Sequence, residues 1–200
     1  MRLILTAAVA SLAIATSACN NKANDTDANM SDDMMANDMM MNNDMGMAND
    51  SGMSNGMAPM AAADFTATVA GSDMYEIEAG KLAQSMGSTD AIKKFGAMLV
   101  TDHSKSTAML KTAAAAASPA ITLPTAMPAE HQAHIDALKA AKGAEFDRLF
   151  VEQQKAGHQK VLDALKGYAA GGDTPSLKTF ATKSTEVVEH HIEHVNNMKM

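Results

Sequence analysis

The chain has 200 residues, 46% of them hydrophobic, which leaves room for one domain of ordinary size with extensions. It holds 19 Met but only five Phe, two Tyr and no Trp. Such a composition suits helices built on Ala, Leu and Met better than a sheet, which draws on Val, Ile and aromatics. A formal net charge of −7 excludes nucleic acid as a partner, because no basic surface would offset the phosphates, and a single Cys excludes an internal disulfide.

Residues 1–19 read as an export signal. Arg2 supplies the positive start, and Leu3 to Ile14 is an apolar run too short for the roughly 20 residues a membrane span needs. It ends in Thr16-Ser17-Ala18-Cys19, which resembles a bacterial lipobox, with Thr16 where Leu is usual. That resemblance implies lipidation of Cys19 and anchoring to a membrane. Asn20 follows, where lipoproteins retained in the inner membrane typically carry Asp, so the resemblance implies the outer membrane.

Residues 20–61 are low in complexity, rich in Asn, Asp, Met, Ser, Gly and Ala. They lack the apolar bulk needed to offset chain entropy and are expected to be a disordered tether. The clusters Met34-Met35, Met39-Met40-Met41 and Met45-Gly46-Met47 offer soft thioethers that suit Cu(I). With no His or Cys among them, drift in an unselected linker accounts for them as well.

Residues 62–200 are expected to form the folded domain. Helical spacing predicts a first helix from Asp64, as N-cap, to Met86, with Phe65, Val69, Tyr75, Ala79 and Ala83 on its buried side. Glu76 lies within that stripe and Glu78 nearly opposite it. A second helix, capped by Ser88, runs to the Ala113–Ala117 segment and places Asp102 and His103 near its apolar face. A proline-rich loop, Pro119 to Pro128, precedes a third helix that Gly143 could interrupt; Gln154 is central on its apolar face and His158 at the edge. Thr174-Pro175 opens the fourth helix. Its predicted seam is Leu177, Phe180, Ser184, Val187, His191, His194 and Met198. Four such helices joined mostly by short turns predict an all-α four-helix bundle.

Phe65, Glu76-Ile77, Lys81-Leu82-Ala83, Phe95, Met98 and Asp102-His103, continued by Phe146-Asp147, His158, Phe180-Ala181 and His191, resemble the bacterial domain-of-unknown-function family 4142. The resemblance covers roughly Asp64 to Met200 and implies a ferritin-like fold and an outer-membrane location, with no established reaction. That family usually has Pro near position 186, where this chain has Glu186.

Glu76, Asp102, His103, His158 and His191 place at least one polar group per helix near the core and are the candidate metal ligands, for a single divalent ion such as Zn, Fe, Mn or Cu. The Glu-x-x-His signature of di-iron bundles is absent. About the last turn, His158 mirrors a position near Ser184 and not His191, a mismatch of roughly 10 Å at a rise of 1.5 Å per residue. Separate buried polar pairs that fix helix register are therefore expected in place of one cage. No nucleophile elbow or phosphate loop occurs. Two functional readings follow: a non-enzymatic, lipid-anchored binding or stress-protective module of the envelope, or a metal-binding or metal-dependent redox protein with its site among the helices.

Overall fold

A computed structural model describes residues 60–199. The export signal, Cys19 and the Met-rich tether lie outside the described residues. Those described are all-helical, with five helices: α1 (Ala62–Met86), α2 (Asp90–Ala115), α3 (Ala129–Ala140), α4 (Ala144–Gly171) and α5 (Pro175–Asn196).

The helix ends follow local chemistry, with corrections to the sequence reading. Asp64 does not cap α1; Ala61 is the extended cap residue, and Asp64 sits in the first turn, where the helix dipole favours an acid. Thr89, not Ser88, caps α2, its hydroxyl accepting from the Ile92 N–H at 3.3 Å. Ser88 is used elsewhere: its N–H (2.9 Å) and its hydroxyl both donate to the buried carboxylate of Asp147, tying the α1–α2 turn to α4. The break at Gly143 is complete. Its φ of 55° is one that a β-carbon disfavours, and the single third helix becomes α3 and α4. Pro175 occupies the first turn of α5, which runs without interruption through Glu186.

The four long helices pack in a ring, α1 on α2, α2 on α5, α5 on α4 and α4 on α1, while α3 lies against α1 and α4. On α5 the buried positions are Leu177, Phe180, Ala181, Ser184, Val188, His191 and Val195. The predicted Val187 and His194 are displaced by their neighbours Val188 and Val195. An α-helix turns through 3.6 residues, so a strict seven-residue stripe drifts by about 20° per heptad and the inward direction passes to the next residue. Val187 is left 39% exposed. His194, exposed, stacks on Phe95 at 5.0 Å.

The core is in two parts. One collects Phe65, Val69, Leu110, Leu165, Tyr168, Leu177 and Phe180; the other Ala79, Ala83, Ile92, Phe95, Leu99, Phe146 and Phe150. On every long helix buried polar residues stand near the boundary between the stretches that feed these two clusters: Asp73 and Glu76 on α1, His103 on α2, Gln154 and His158 on α4, and His191 on α5. A polar layer thus crosses an otherwise apolar interior.

Near one end of that layer α1 and α2 touch through backbone. A β-carbon on Gly96 would lie 2.6 Å from the Gly80 carbonyl oxygen and 2.7 Å from the Ala83 β-carbon. Gly96→Ala gains helix propensity but must push the two backbones apart, and overpacking costs roughly 1–3 kcal/mol. The expected result is a net loss of stability in urea denaturation, whereas Gly167→Ala, with open space around it, is expected to stabilise.

Candidate metal centre

All five sequence-predicted residues reach the polar layer. His103, His158 and His191 are buried, with one ring nitrogen from each lying within 4.8 Å of the others. The Glu76 carboxylate is buried 3.7 Å from His158 Nδ1. Asp102 stands at the edge, partly exposed, 3.2 Å from His191 Nε2 and also 3.2 Å from the Lys105 ammonium. His158 is fully inside and not at the edge of its helix face. The predicted axial mismatch between His158 and His191 is wrong: His158 Nε2 and His191 Nδ1 are 3.2 Å apart. Helical side chains lean toward the N-terminus of their own helix. Counted from the helix ends at Gly171 and Pro175, His158 lies 13 residues before the turn and His191 16 after it, an offset of three residues or roughly 4.5 Å. The His158 ring leans away from the turn and the His191 ring back toward it, which closes that gap.

The outer partners of the three rings fix where their protons sit. His103 Nδ1 faces an Asp73 carboxylate oxygen at 2.8 Å, and the other Asp73 oxygen accepts from the Thr107 hydroxyl at 3.1 Å. His158 Nδ1 faces the Gln154 carbonyl at 2.9 Å. His191 Nε2 faces Asp102. Carbonyls and carboxylates only accept, so each of these nitrogens carries the hydrogen. The remaining nitrogens of the neutral rings, His103 Nε2, His158 Nε2 and His191 Nδ1, are then bare lone pairs. Two of them face each other at 3.2 Å, where no hydrogen bond can form without an added proton or cation. His103 Nε2 has no partner at all, nor has Glu76 Oε2.

Bare imidazole nitrogens held from behind by carboxylate or carbonyl are what a metal ion takes as ligands. Nitrogens at about 2.0–2.1 Å from a tetrahedral ion stand roughly 3.3 Å apart, close to the His158–His191 spacing. All three nitrogens lie within 4.8 Å of one another, so a ring at that limit closes by up to about 1.5 Å to complete the set.

The electrostatics favour neutral rings at His158 and His191, whereas His103 is held toward its charged form and must give up a proton to bind an ion. Burial drives His158 down to about 3, helped by the charges of His103 and His191. His191 is held at about 4 by burial and by His103, against the opposing pull of Asp102. Burial also pushes His103 down, but its hydrogen bond to Asp73 and the charges of Glu76, Asp73 and Asp102 outweigh it, leaving the ring above the usual 6.5. Burial lifts Glu76 to about 7. Asp102 is raised by burial but lowered more by its hydrogen bonds to His191 and Lys105, and it ends below the ordinary value.

A pH dependence follows for the metal-free protein. His158 and His191 have folded values far below 6.5, so the stability they contribute is complete above pH 6.5 and is lost as pH falls toward about 4 and 3. Glu76 acts in the opposite sense: its raised value contributes stability below pH 4.5, lost as pH rises through about 7. His103, raised, is charged in both states below pH 6.5. Between pH 6.5 and 4.5 the unfolded chain thus binds two more imidazole protons and the folded chain one more carboxyl proton. The net is proton uptake by the unfolded chain, so stability is expected to fall on acidification across this range. Urea denaturation at pH 6.5 and 5 is expected to show this loss; a flat profile would contradict the neutral rings.

Asp73 was missed in the sequence, although its position three residues before Glu76 put it on the same helix face. Ser184, in the predicted α5 seam, buries its hydroxyl without a partner. Of the expected pairs Asp102–His191 is present, whereas Glu76 stands 3.7 Å from His158, too far for a hydrogen bond, and His103 pairs with Asp73 instead; the pairs surround one cluster.

Fold and site together define, over the described residues, an all-helical domain with a buried three-histidine cluster backed by two carboxylates and a main-chain carbonyl. The chain belongs to the family described as Domain of unknown function (DUF4142), whose model matches residues 47–198. No curated protein and no solved structure matches the chain.

Proposed function

We propose that this protein binds one divalent transition-metal ion through His103, His158 and His191. The observation that carries the reading is the convergence of three ring nitrogens whose outer partners leave them bare. Neutral imidazole suits Zn2+, Cu2+ and Fe2+, and three such ligands leave the ion an open position. Asp73, the Gln154 carbonyl and Asp102 would orient the rings, and Glu76, with one oxygen unpartnered, would balance charge from beside His158.

In this reading the four long helices are a ferritin-like bundle whose interior holds one mononuclear site in place of a carboxylate-bridged pair. The module is non-enzymatic and holds metal in the bacterial envelope. Export by residues 1–19, a lipid on Cys19 and attachment to the outer membrane complete the proposal, supported by Arg2, the Leu3–Ile14 run, the small residues before Cys19 and Asn20. No helix among the described residues is long and apolar enough to cross a membrane.

The test is cobalt titration of metal-depleted protein. Saturation at one Co2+ per chain, with the intense visible bands of a four-coordinate nitrogen site, is expected. Weak, non-stoichiometric uptake would end the proposal.

A further inference from the structure

We infer that the cavity between α2 and α5 is a binding pocket for a small carboxylate with a short hydrocarbon tail, its head directed at the histidine cluster. This inference rests on the metal reading above. The cavity has a volume of about 200 Å3, and its lining includes both His103 and Asp102. At roughly 30 Å3 per water in the liquid, that is space for about six waters, or a molecule of about six to eight non-hydrogen atoms.

Its walls are of two kinds. Met109, Val187 and Val188 make an apolar side. Met109 and Val187 are 42% and 39% exposed, two of the three large hydrophobic residues left open among the described residues. The polar side holds Ser184, which is 6% exposed and whose hydroxyl has no hydrogen-bond partner. On the same helix the hydroxyls of Thr179, Thr182 and Thr185 each bond back to the carbonyl four residues earlier. The Ser184 hydroxyl makes no such bond, and it lines the cavity beside a histidine whose Nε2 is equally without a partner.

Charge selects the head group. An ion held by three neutral imidazoles keeps its full positive charge, while Lys105 and Asp102, both in the lining, pair with each other and cancel. Asp102 is already engaged by His191 and Lys105. Ser184 supplies a donor. These features suit a mono-anion, and the apolar wall suits an alkyl tail; a carboxylate of a few carbons meets both within the volume.

The test uses the full chain loaded with one equivalent of Co2+ and titrated with acetate, propionate and butyrate while the visible bands are followed. A saturable spectral shift is expected, with affinity rising about fourfold per added methylene that is fully buried. Ser184→Ala is expected to weaken butyrate about tenfold, the loss of one hydrogen bond to a charged group, with cobalt still bound at one per chain. Val187→Asp, at the open rim, is expected to weaken butyrate while acetate suffers less. A normal cobalt spectrum that no carboxylate moves, or a Ser184→Ala protein that binds butyrate as tightly as the parent, overturns the pocket alone. Failure to form the cobalt spectrum overturns the metal reading, and the pocket with it.

Discussion

Replacing His158 by Ala is expected to abolish stoichiometric binding of Zn2+ or Co2+, with an affinity loss of at least two orders of magnitude, while the helices remain. His158 is one of three inner ligands, its Nε2 is 3.2 Å from His191 Nδ1, and its Nδ1 faces a main-chain carbonyl of its own helix. Outer-shell changes at metal sites cost roughly 10–100-fold, and loss of a direct ligand exceeds that. Linkage makes the same result visible in stability. Metal at about a hundred times its dissociation constant stabilises the folded state by roughly 2.7 kcal/mol. The parent should therefore gain several degrees in Tm with Zn2+, and the His158→Ala protein should gain none. Circular dichroism checks that the variant is folded; equal Zn2+ stabilisation of both proteins would remove His158 from the site.

Asp73→Ala is expected to have the second-largest effect, and on two measurements at once. Asp73 is buried and both its oxygens are used, one by His103 Nδ1 and one by the Thr107 hydroxyl. Removing it strands the His103 Nδ1–H, while the Thr107 hydroxyl keeps the His103 carbonyl at 3.0 Å; breaking a buried pair on one side costs roughly 3–5 kcal/mol. Metal affinity should fall by a further 10–100-fold, because nothing then holds the His103 ring with its bare nitrogen inward. Asp73→Asn, which keeps an acceptor, should recover most of the stability and only part of the affinity. Urea denaturation reports the first quantity and competition with a chelating dye the second. If the two losses track each other through both variants, Asp73 serves the fold and not the metal.

Much of the fold was legible because its signals are local. The apolar spacing of Phe65, Val69 and Tyr75 on α1, and of Phe146, Phe150 and Leu165 on α4, is the period of a helix packed on one side, and those residues are buried. Gly143, Thr174 and Pro175 mark breaks and starts by their backbone preferences. Signals that depend on partners were read less well. Ser88 resembles an N-cap, yet Asp147, 59 residues away, claims its hydroxyl. Val187 and Val188 are alike in type, and only the drift of the α5 seam decides which is inside.

The site shows the same division. The five polar residues could be found because each interrupts an apolar stripe. Their assembly was harder to read, because it depends on where the α4–α5 turn is centred and on side-chain direction: a turn centred on residue 173 brings His158 and His191 to within three residues, and their rings then lean toward one another. Asp73 stayed hidden because the middle of α1 is buried nearly all round, from Val69 to Asp73 and on through Tyr75 and Glu76, so no single stripe marked it.

The most direct test of the central claim is X-ray absorption at the zinc edge of protein loaded with one equivalent of Zn2+. Three imidazole nitrogens at about 2.0–2.1 Å are predicted, with the outer-ring scattering that identifies histidine. Sulfur at about 2.3 Å, as the Met-rich segment would supply, or a shell of oxygen alone would place the ion elsewhere and contradict the site.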